Sequence, residues 1–145
     1  MYEHVHELHI PNKFGSEKLV MEQVATLAKK IGFSDDRIED LKTAVSEACL
    51  NAIEHGNEMN ATTRVGISLS VNGTKMKVSV EDKGNGIGEK MNEPNIDNKI
   101  NGTETPRGWG LFLIKNLMDD IKFEPKADGG NVTTMIIHLD KNNKQ

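Results

Sequence analysis

The sequence lacks a long apolar run, a pair of cysteines and any excess of positive charge. None of its 145 residues lie in an uninterrupted apolar stretch near the ~18 to 20 residues that a membrane span needs. The charged start, MYEHVHELHI, lacks the apolar core of a signal peptide. We therefore expect a cytoplasmic protein that makes no use of a membrane.

The single cysteine, Cys49, cannot form a disulfide within the chain. It lies in a helical apolar pattern, which is more typical of a buried structural thiol than of a reactive one. The formal net charge of -4 at pH 7 argues against a protein whose main function is to bind nucleic acid phosphates. Proteins and small ligands are the expected partners.

With 36% hydrophobic and 28% charged residues, the chain has the size and composition of one globular domain, residues 1–145. Helical periodicity runs from Ser16 to Gly32, resumes after a candidate N-cap at Ser34, and returns from about Gly108. Alternating patterns predict strands at 5–10, 65–71, 76–82, 121–124 and 132–139, with a tight turn at Asn72 and Gly73. These elements predict an α+β two-layer sandwich, in which helices cover one face of an antiparallel or mixed sheet.

Residues 83–107 are rich in glycine, asparagine and proline and poor in apolar residues. Long loops in compact domains are usually either functional lids or disordered, and composition leaves both alternatives open. The tail, residues 140–145, is expected to fray.

The stretch EACLNAIEHG places Glu47, Asn51 and His55 four residues apart. At about 100° per residue, the members of this set drift by only about 40° per step and project along one side of a helix. The buried seam of that helix is formed by other residues, Ile38, Leu41, Val45, Ala48 and Ala52. The polar row therefore faces either water or a ligand.

Two glycine-rich motifs accompany this row. EDKGNGIG places Asp82 at the end of a strand, on its inward face, and RGWGLFLI places Arg107 directly before a glycine-rich helix start. Glycine-rich turns let backbone N–H groups approach an anion, and a helix N-terminus adds a favourable dipole. Phosphate is therefore the expected ligand. Each motif alone is weak evidence, because glycines are common turn residues and polar rows are usually solvated.

The order of the motifs is more specific. Glu-x-x-x-Asn-x-x-x-His, Asp-x-Gly-x-Gly-Ile and Arg-Gly-x-Gly-Leu together resemble the ATP-binding fold shared by gyrase, Hsp90, histidine kinases and MutL. Within that fold, KTAVSEACLNAIEHG and RGWGLFLIKNLMDD are similar to the anti-sigma factor serine kinases of sporulation and general stress. The resemblance covers nearly the whole chain. It implies an ATP- and Mg²⁺-dependent homodimeric kinase that binds an RNA polymerase sigma factor and phosphorylates a serine of a STAS-type anti-anti-sigma antagonist.

The resemblance also implies roles for single residues. Glu47 would be the general base, Asn51 the Mg²⁺ ligand, His55 a supporting residue on the phosphate side, and Arg107 a counter-charge at the γ-phosphate. Asp82 would accept a hydrogen bond from the adenine amino group. The remaining nucleotide contacts would come from Thr133, Gly84, Gly86, Ile87, Gly108, Gly110 and Leu111.

Two positions depart from the family pattern: Leu50 stands where a threonine is common, and Val132 where a glycine is usual. Both put the fine geometry of the site in question, while Glu47, Asn51 and Asp82 are all present. An alternative function is a non-catalytic module that uses bound nucleotide only to set its shape for a protein partner. The presence of Glu47 favours the kinase.

Overall fold

The computed structural model describes residues 3–56, 63–83, 107–127 and 129–138. Of the loop predicted as an ATP lid at 83–107, residues 84–106 lie outside the described residues, as does the tail at 140–145; Arg107 belongs to a helix instead of the loop. The elements in chain order are β1 (Glu3–Pro11), α1 (Glu17–Ile31), α2 (Asp35–Asn51), a π-helical turn (Ala52–Gly56), β2 (Arg64–Asn72), β3 (Lys75–Asp82), α3 (Arg107–Leu117), β4 (Asp120–Pro125) and β5 (Asn131–His138).

The junction between α1 and α2 follows the predicted capping signals. Gly32 adopts a left-handed conformation with φ 113°, and its N–H bonds back to the carbonyls of Ala28 and Lys29. Ser34 then accepts a hydrogen bond from the backbone N–H of Arg37 at 3.3 Å. Asp35 in the first turn of α2 adds a favourable interaction with the helix dipole. Both predicted helix boundaries are confirmed.

The strands form one sheet in the order β1-β2-β3-β5-β4, and every described pair is antiparallel. The α+β prediction is confirmed, with the mixed alternative absent among these strands. The β2–β3 turn lies one residue later than predicted, because Asn72 still pairs with Lys75. Gly73 opens the turn with φ 58°, a conformation that glycine adopts without a steric penalty.

One continuous core joins the helices to a single face of the sheet. Helix α2 packs on both α1 and α3, and the π-helical turn contacts β3. The predicted seam of α2 is confirmed, since all five of its apolar residues are buried. Among the described residues, no helix is both long and apolar enough to cross a membrane.

Cys49 lies fully inside this core. Burial raises the pKa of its thiol, and the negative charge of Glu17 raises it further. Because the thiolate is the reactive form, a thiol held protonated is inert. The expectation of a structural cysteine is confirmed.

Candidate functional site

Three buried polar side chains interrupt the otherwise apolar inner face of the sheet. Asp82 continues the inward parity of Val78 and Val80 on β3 and is only 3% exposed. On β5, Asn131 is the direct neighbour of Asp82, and Thr133 is the neighbour of Val80. Both are buried. We call Asp82, Asn131 and Thr133 the polar corner.

The turn between β4 and β5 closes over the backbone of this corner. Gly130 has φ 88°, and a Cβ atom at this position would overlap the carbonyl oxygen of Asp82. The same turn is tied to β3 by an ion pair between Lys126 Nζ and Glu81 Oε1 at 2.9 Å. Only glycine permits this close approach, so Gly130 and the ion pair together fix the end of β3 where Asp82 lies.

Neither Asn131 nor Gly130 was predicted from the sequence as a residue of this corner. For Asn131 a signal was present, because it shares the strand parity of Thr133 and Met135, and all three are buried. For Gly130 the signal was weak, because a Gly-Gly pair in a hairpin loop is also what an ordinary turn requires.

Val132, which stands where the family usually has a glycine, lies in a regular part of β5. Val132 is paired with Glu81 on one side and with Glu124 on the other, and its side chain occupies the sheet face opposite to that of Thr133. The strand pairing of β5 therefore accommodates Val132, and Thr133 keeps its place in the polar corner. Leu50 is partly exposed on α2, next to Asn51.

Asn51 ends α2 and carries the main unsatisfied polar group near the predicted site. Its side chain is buried, at 6% exposure, and its Nδ2 has no hydrogen-bond partner among the described residues. A buried polar atom without a partner costs about 1–3 kcal/mol. Such a group is tolerated where a ligand completes its hydrogen bonds, which fits the expected position of Asn51 beside bound phosphates.

Glu47 lies one helical turn before Asn51 and is half-buried. Burial raises the pKa of its carboxyl group above the ordinary value. A carboxylate that holds a proton more tightly is a better proton acceptor, because the driving force for general base catalysis follows its basicity. The environment of Glu47 is therefore suited to taking a proton from a hydroxyl group.

The predicted row of three residues at regular α-helical spacing is wrong at His55. The α-helix ends at Asn51, and Ala52–Gly56 forms a π-helical turn, whose wider backbone rings change the angle between successive residues. Ala52 and Ile53 are both buried in this turn. Glu47 and Asn51 keep the expected relation, whereas the side chain of His55 lies outside what the structure describes.

Helices α2 and α3 pack against each other, and the end of α3 is bonded to α2. Asp119, just beyond α3, bonds to Arg37 in the first turn of α2, so the end of α3 lies at the start of α2.

The first turn of α3 contains Arg107, Gly108, Gly110 and nearby Leu111 in helical conformation. The first N–H groups of a helix have no acceptor within it, so they are available to an anion. The side chains in this turn lie outside what the structure describes. So do residues Gly84, Gly86 and Ile87. The structure thus packs α2, which carries Glu47 and Asn51, against α3, and packs the π-helical turn after Asn51 against β3, the strand that ends in Asp82.

Comparison with known proteins agrees with this architecture. Residues 10–137 match the family model described as histidine kinase-like ATPase domain. The chain is 31% identical over 144 residues to serine-protein kinase RsbW of Bacillus licheniformis, covering 93% of this chain and 86% of that protein. It is 31% identical over 140 residues to anti-sigma F factor of Thermoanaerobacter sp. (strain X514), covering 95% and 96%.

Among solved structures, the RsbU and RsbW domains of a Mycobacterium tuberculosis protein share the fold. The TM-score is 0.64 at 21% identity, over 93% of this chain and 32% of that one. The sheet, the helices and the matched region define the class as an ATPase domain of two-layer α+β architecture. The chain belongs to the histidine kinase-like ATPase domain family, together with RsbW and anti-sigma F factor. The resemblance predicted from the sequence motifs is confirmed.

Proposed function

We propose that this protein is an ATP-dependent protein serine kinase that also acts as an anti-sigma factor. The observation that supports the kinase most directly is the half-buried Glu47, with its raised pKa, one helical turn from the buried Asn51, whose Nδ2 has no partner among the described residues. Relatives named serine-protein kinase RsbW and anti-sigma F factor support both activities. The protein binds a sigma factor of RNA polymerase and phosphorylates a serine of a STAS-domain antagonist.

The polar corner binds the adenine end of ATP in this proposal. The carboxylate of Asp82 accepts a hydrogen bond from the exocyclic amino group, and Thr133 contributes its hydroxyl beside it. Gly84, Gly86 and Ile87 follow Asp82 in the chain and pass close to the base and the sugar. The buried position of Asp82 at the end of β3 supports this assignment, since burial makes its polar contacts selective.

The phosphates are bound at the other side of the site. Backbone N–H groups of Gly108, Gly110 and Leu111 cradle them, Arg107 offsets the charge of the γ-phosphate, and His55 supports the phosphate side. Asn51 holds Mg²⁺ through its amide oxygen. A hard cation prefers oxygen ligands, and when bound it neutralises charge on the phosphates.

Glu47 takes the proton in the transfer step. The serine oxygen of the antagonist attacks the γ-phosphorus, the bond from that phosphorus to the β,γ-bridging oxygen breaks, and ADP leaves. The hydroxyl proton passes to the carboxylate of Glu47. The new phosphoserine carries about -1.5 to -2 charges, which weakens docking of the antagonist to the acidic kinase. The sigma factor then stays bound and silent.

Partner exchange tests the anti-sigma role. We expect a complex with one sigma factor of the same genome in the presence of ATP, and release of that factor when an unphosphorylatable Ser-to-Ala STAS protein is added. Size-exclusion chromatography with light scattering measures both steps and also tests the proposed homodimer. Failure of every sigma factor of the genome to bind would contradict the anti-sigma role. We place this exchange in the cytoplasm.

The non-catalytic module is the second candidate, and it is favoured only by the departures at Leu50 and Val132. It predicts that a sigma factor binds and dissociates according to the nucleotide present, with no phosphate transferred. The kinase predicts a covalently modified antagonist.

A further inference from the structure

A buried ion pair joins parts of the chain that the nucleotide site does not use. Arg37 Nη2 lies 2.6 Å from Asp119 Oδ2 and donates a second hydrogen bond to the backbone carbonyl of His138 at 2.9 Å. The same Asp119 oxygen accepts the backbone N–H of His138 at 2.6 Å. The side chains of Arg37 and Asp119 are only 6% and 9% exposed. We call Arg37, Asp119 and the backbone of His138 the clamp.

The clamp connects three elements at one end of the molecule. Arg37 lies in the first turn of α2, Asp119 lies two residues beyond α3, and His138 ends β5. The backbone N–H of Asp119 also bonds to the carbonyl of Ile136 at 2.9 Å. The end of α3 is thereby fixed both to the sheet and to the start of α2.

The start of α3 contains two glycines, Gly108 and Gly110. Neither glycine has a side chain that could pack, and the described buried residues of α3 lie further along the helix. Ile114 and Met118 are buried in the core, and Asp119 follows them in the clamp. The hydrogen-bonded ion pair adds a directional constraint to these apolar contacts. A helix is stiff, so an axial shift at its end moves its start by the same distance.

We infer that the clamp is a positioning device for the phosphate-binding start of α3, holding it in register with Asn51 at the far end of α2. This inference rests on the proposed function of the site. Arg37 and Asp119 are positioning residues and do not touch the nucleotide. The backbone N–H groups of α3 must lie at hydrogen-bond distance from phosphate oxygens, so a shift of a fraction of an ångström weakens binding.

Nucleotide binding to three variants tests this inference. We expect Arg37→Met and Asp119→Asn each to raise the Kd for Mg²⁺-ATP roughly 2- to 30-fold, the range expected for coupling through packed elements. Arg37→Lys is expected to restore near-normal affinity, because Nε has no acceptor among the described residues and both bonds come from one nitrogen. Emission from the only tryptophan of the chain, Trp109 in the first turn of α3, reports binding.

The double variant Arg37→Met with Asp119→Asn separates positioning from stability. Each single change leaves a buried group uncompensated and lowers the free energy of unfolding, whereas the double change removes both charges and restores part of it. The clamp predicts that the Kd stays raised in the double variant although stability recovers. Denaturant titrations identify conditions under which every variant is folded.

A matched control is Lys42→Met, which breaks an exposed ion pair with Glu39 on the same helix. It is expected to change neither the Kd nor the stability by a measurable amount. A Kd that recovers together with stability in the double variant would overturn the inference and leave the clamp as a purely structural pair. A wild-type protein that does not bind Mg²⁺-ATP would instead overturn the proposed function, and the inference with it.

Discussion

Glu47→Gln is expected to lower the rate of phosphotransfer roughly 10²- to 10⁴-fold, the usual contribution of a general base. The Kd for Mg²⁺-ATP is expected to stay within about twofold of the wild-type value, because glutamine keeps the size of the side chain and one accepting oxygen but cannot take a proton. Single-turnover transfer to a saturating STAS protein measures the rate, and tryptophan emission measures the Kd.

The pH dependence gives this prediction a second measurement. Burial raises the pKa of Glu47, and only the deprotonated form accepts the serine proton. The rate is therefore expected to fall as pH decreases through that raised pKa, at a higher pH than for an exposed glutamate. The residual rate of the Glu47→Gln variant is expected to lack this fall at low pH.

A lower folding stability would not explain slower phosphotransfer by the Glu47→Gln variant. A carboxyl group whose pKa is raised on folding destabilises the folded state at pH values above its unfolded-state pKa, where the unfolded chain ionises more readily. Replacing Glu47 with neutral glutamine is thus not expected to lower the free energy of unfolding at pH 7. Glu39→Gln, a change of the same type at an exposed position of α2, is the matched control and should leave the rate unchanged. Equal rates for Glu47→Gln and the wild type would show that Glu47 is not the base.

Asp82→Ala is expected to raise the Kd for ATP about 10- to 150-fold, because a hydrogen bond to a charged group contributes about 1.5–3 kcal/mol. The preference for ATP over GTP should collapse as well. Guanine presents a carbonyl oxygen where adenine presents its amino group, and the carboxylate of Asp82 repels that oxygen in the wild type. Competition titrations with both nucleotides measure the two effects.

The exposed carboxylate of Asp36 provides the control for this change. Asp36→Ala removes the same charge from the first turn of α2 and should leave both nucleotide affinities unchanged. An Asp82→Ala protein that keeps the wild-type ratio of ATP to GTP affinity would contradict the assignment of the polar corner to the adenine base.

Local patterns predicted the fold well. The two-residue period of β3 assigned Asp82 to the inner face, since a strand that buries Val78 and Val80 must turn residue 82 the same way. The helical period of α2 separated the buried seam from Glu47 by the same logic. Each prediction depends only on the geometry of a single strand or helix. The periodicity of the sequence is enough to define that geometry.

Features that depend on contacts between distant elements were not predicted. Arg37 and Asp119 are 82 positions apart, and each alone is an ordinary surface charge in the sequence. The close approach of Gly130 to Asp82 depends on how two hairpins meet. The π-helical turn at Ala52–Gly56 arises where α2 meets β3, and an apolar pair such as Ala52 and Ile53 fits an α-helix equally well.

The most direct test of the kinase is transfer of labelled phosphate from ATP. The purified protein is incubated with γ-labelled ATP and Mg²⁺, with each STAS-domain protein of the same genome in turn. We predict label on one serine of one STAS protein, lost in its Ser-to-Ala variant and reduced at least 100-fold with Glu47→Gln, in line with the loss of a general base. Tight ATP binding without label on any STAS protein would contradict the kinase and favour a nucleotide-gated binding module.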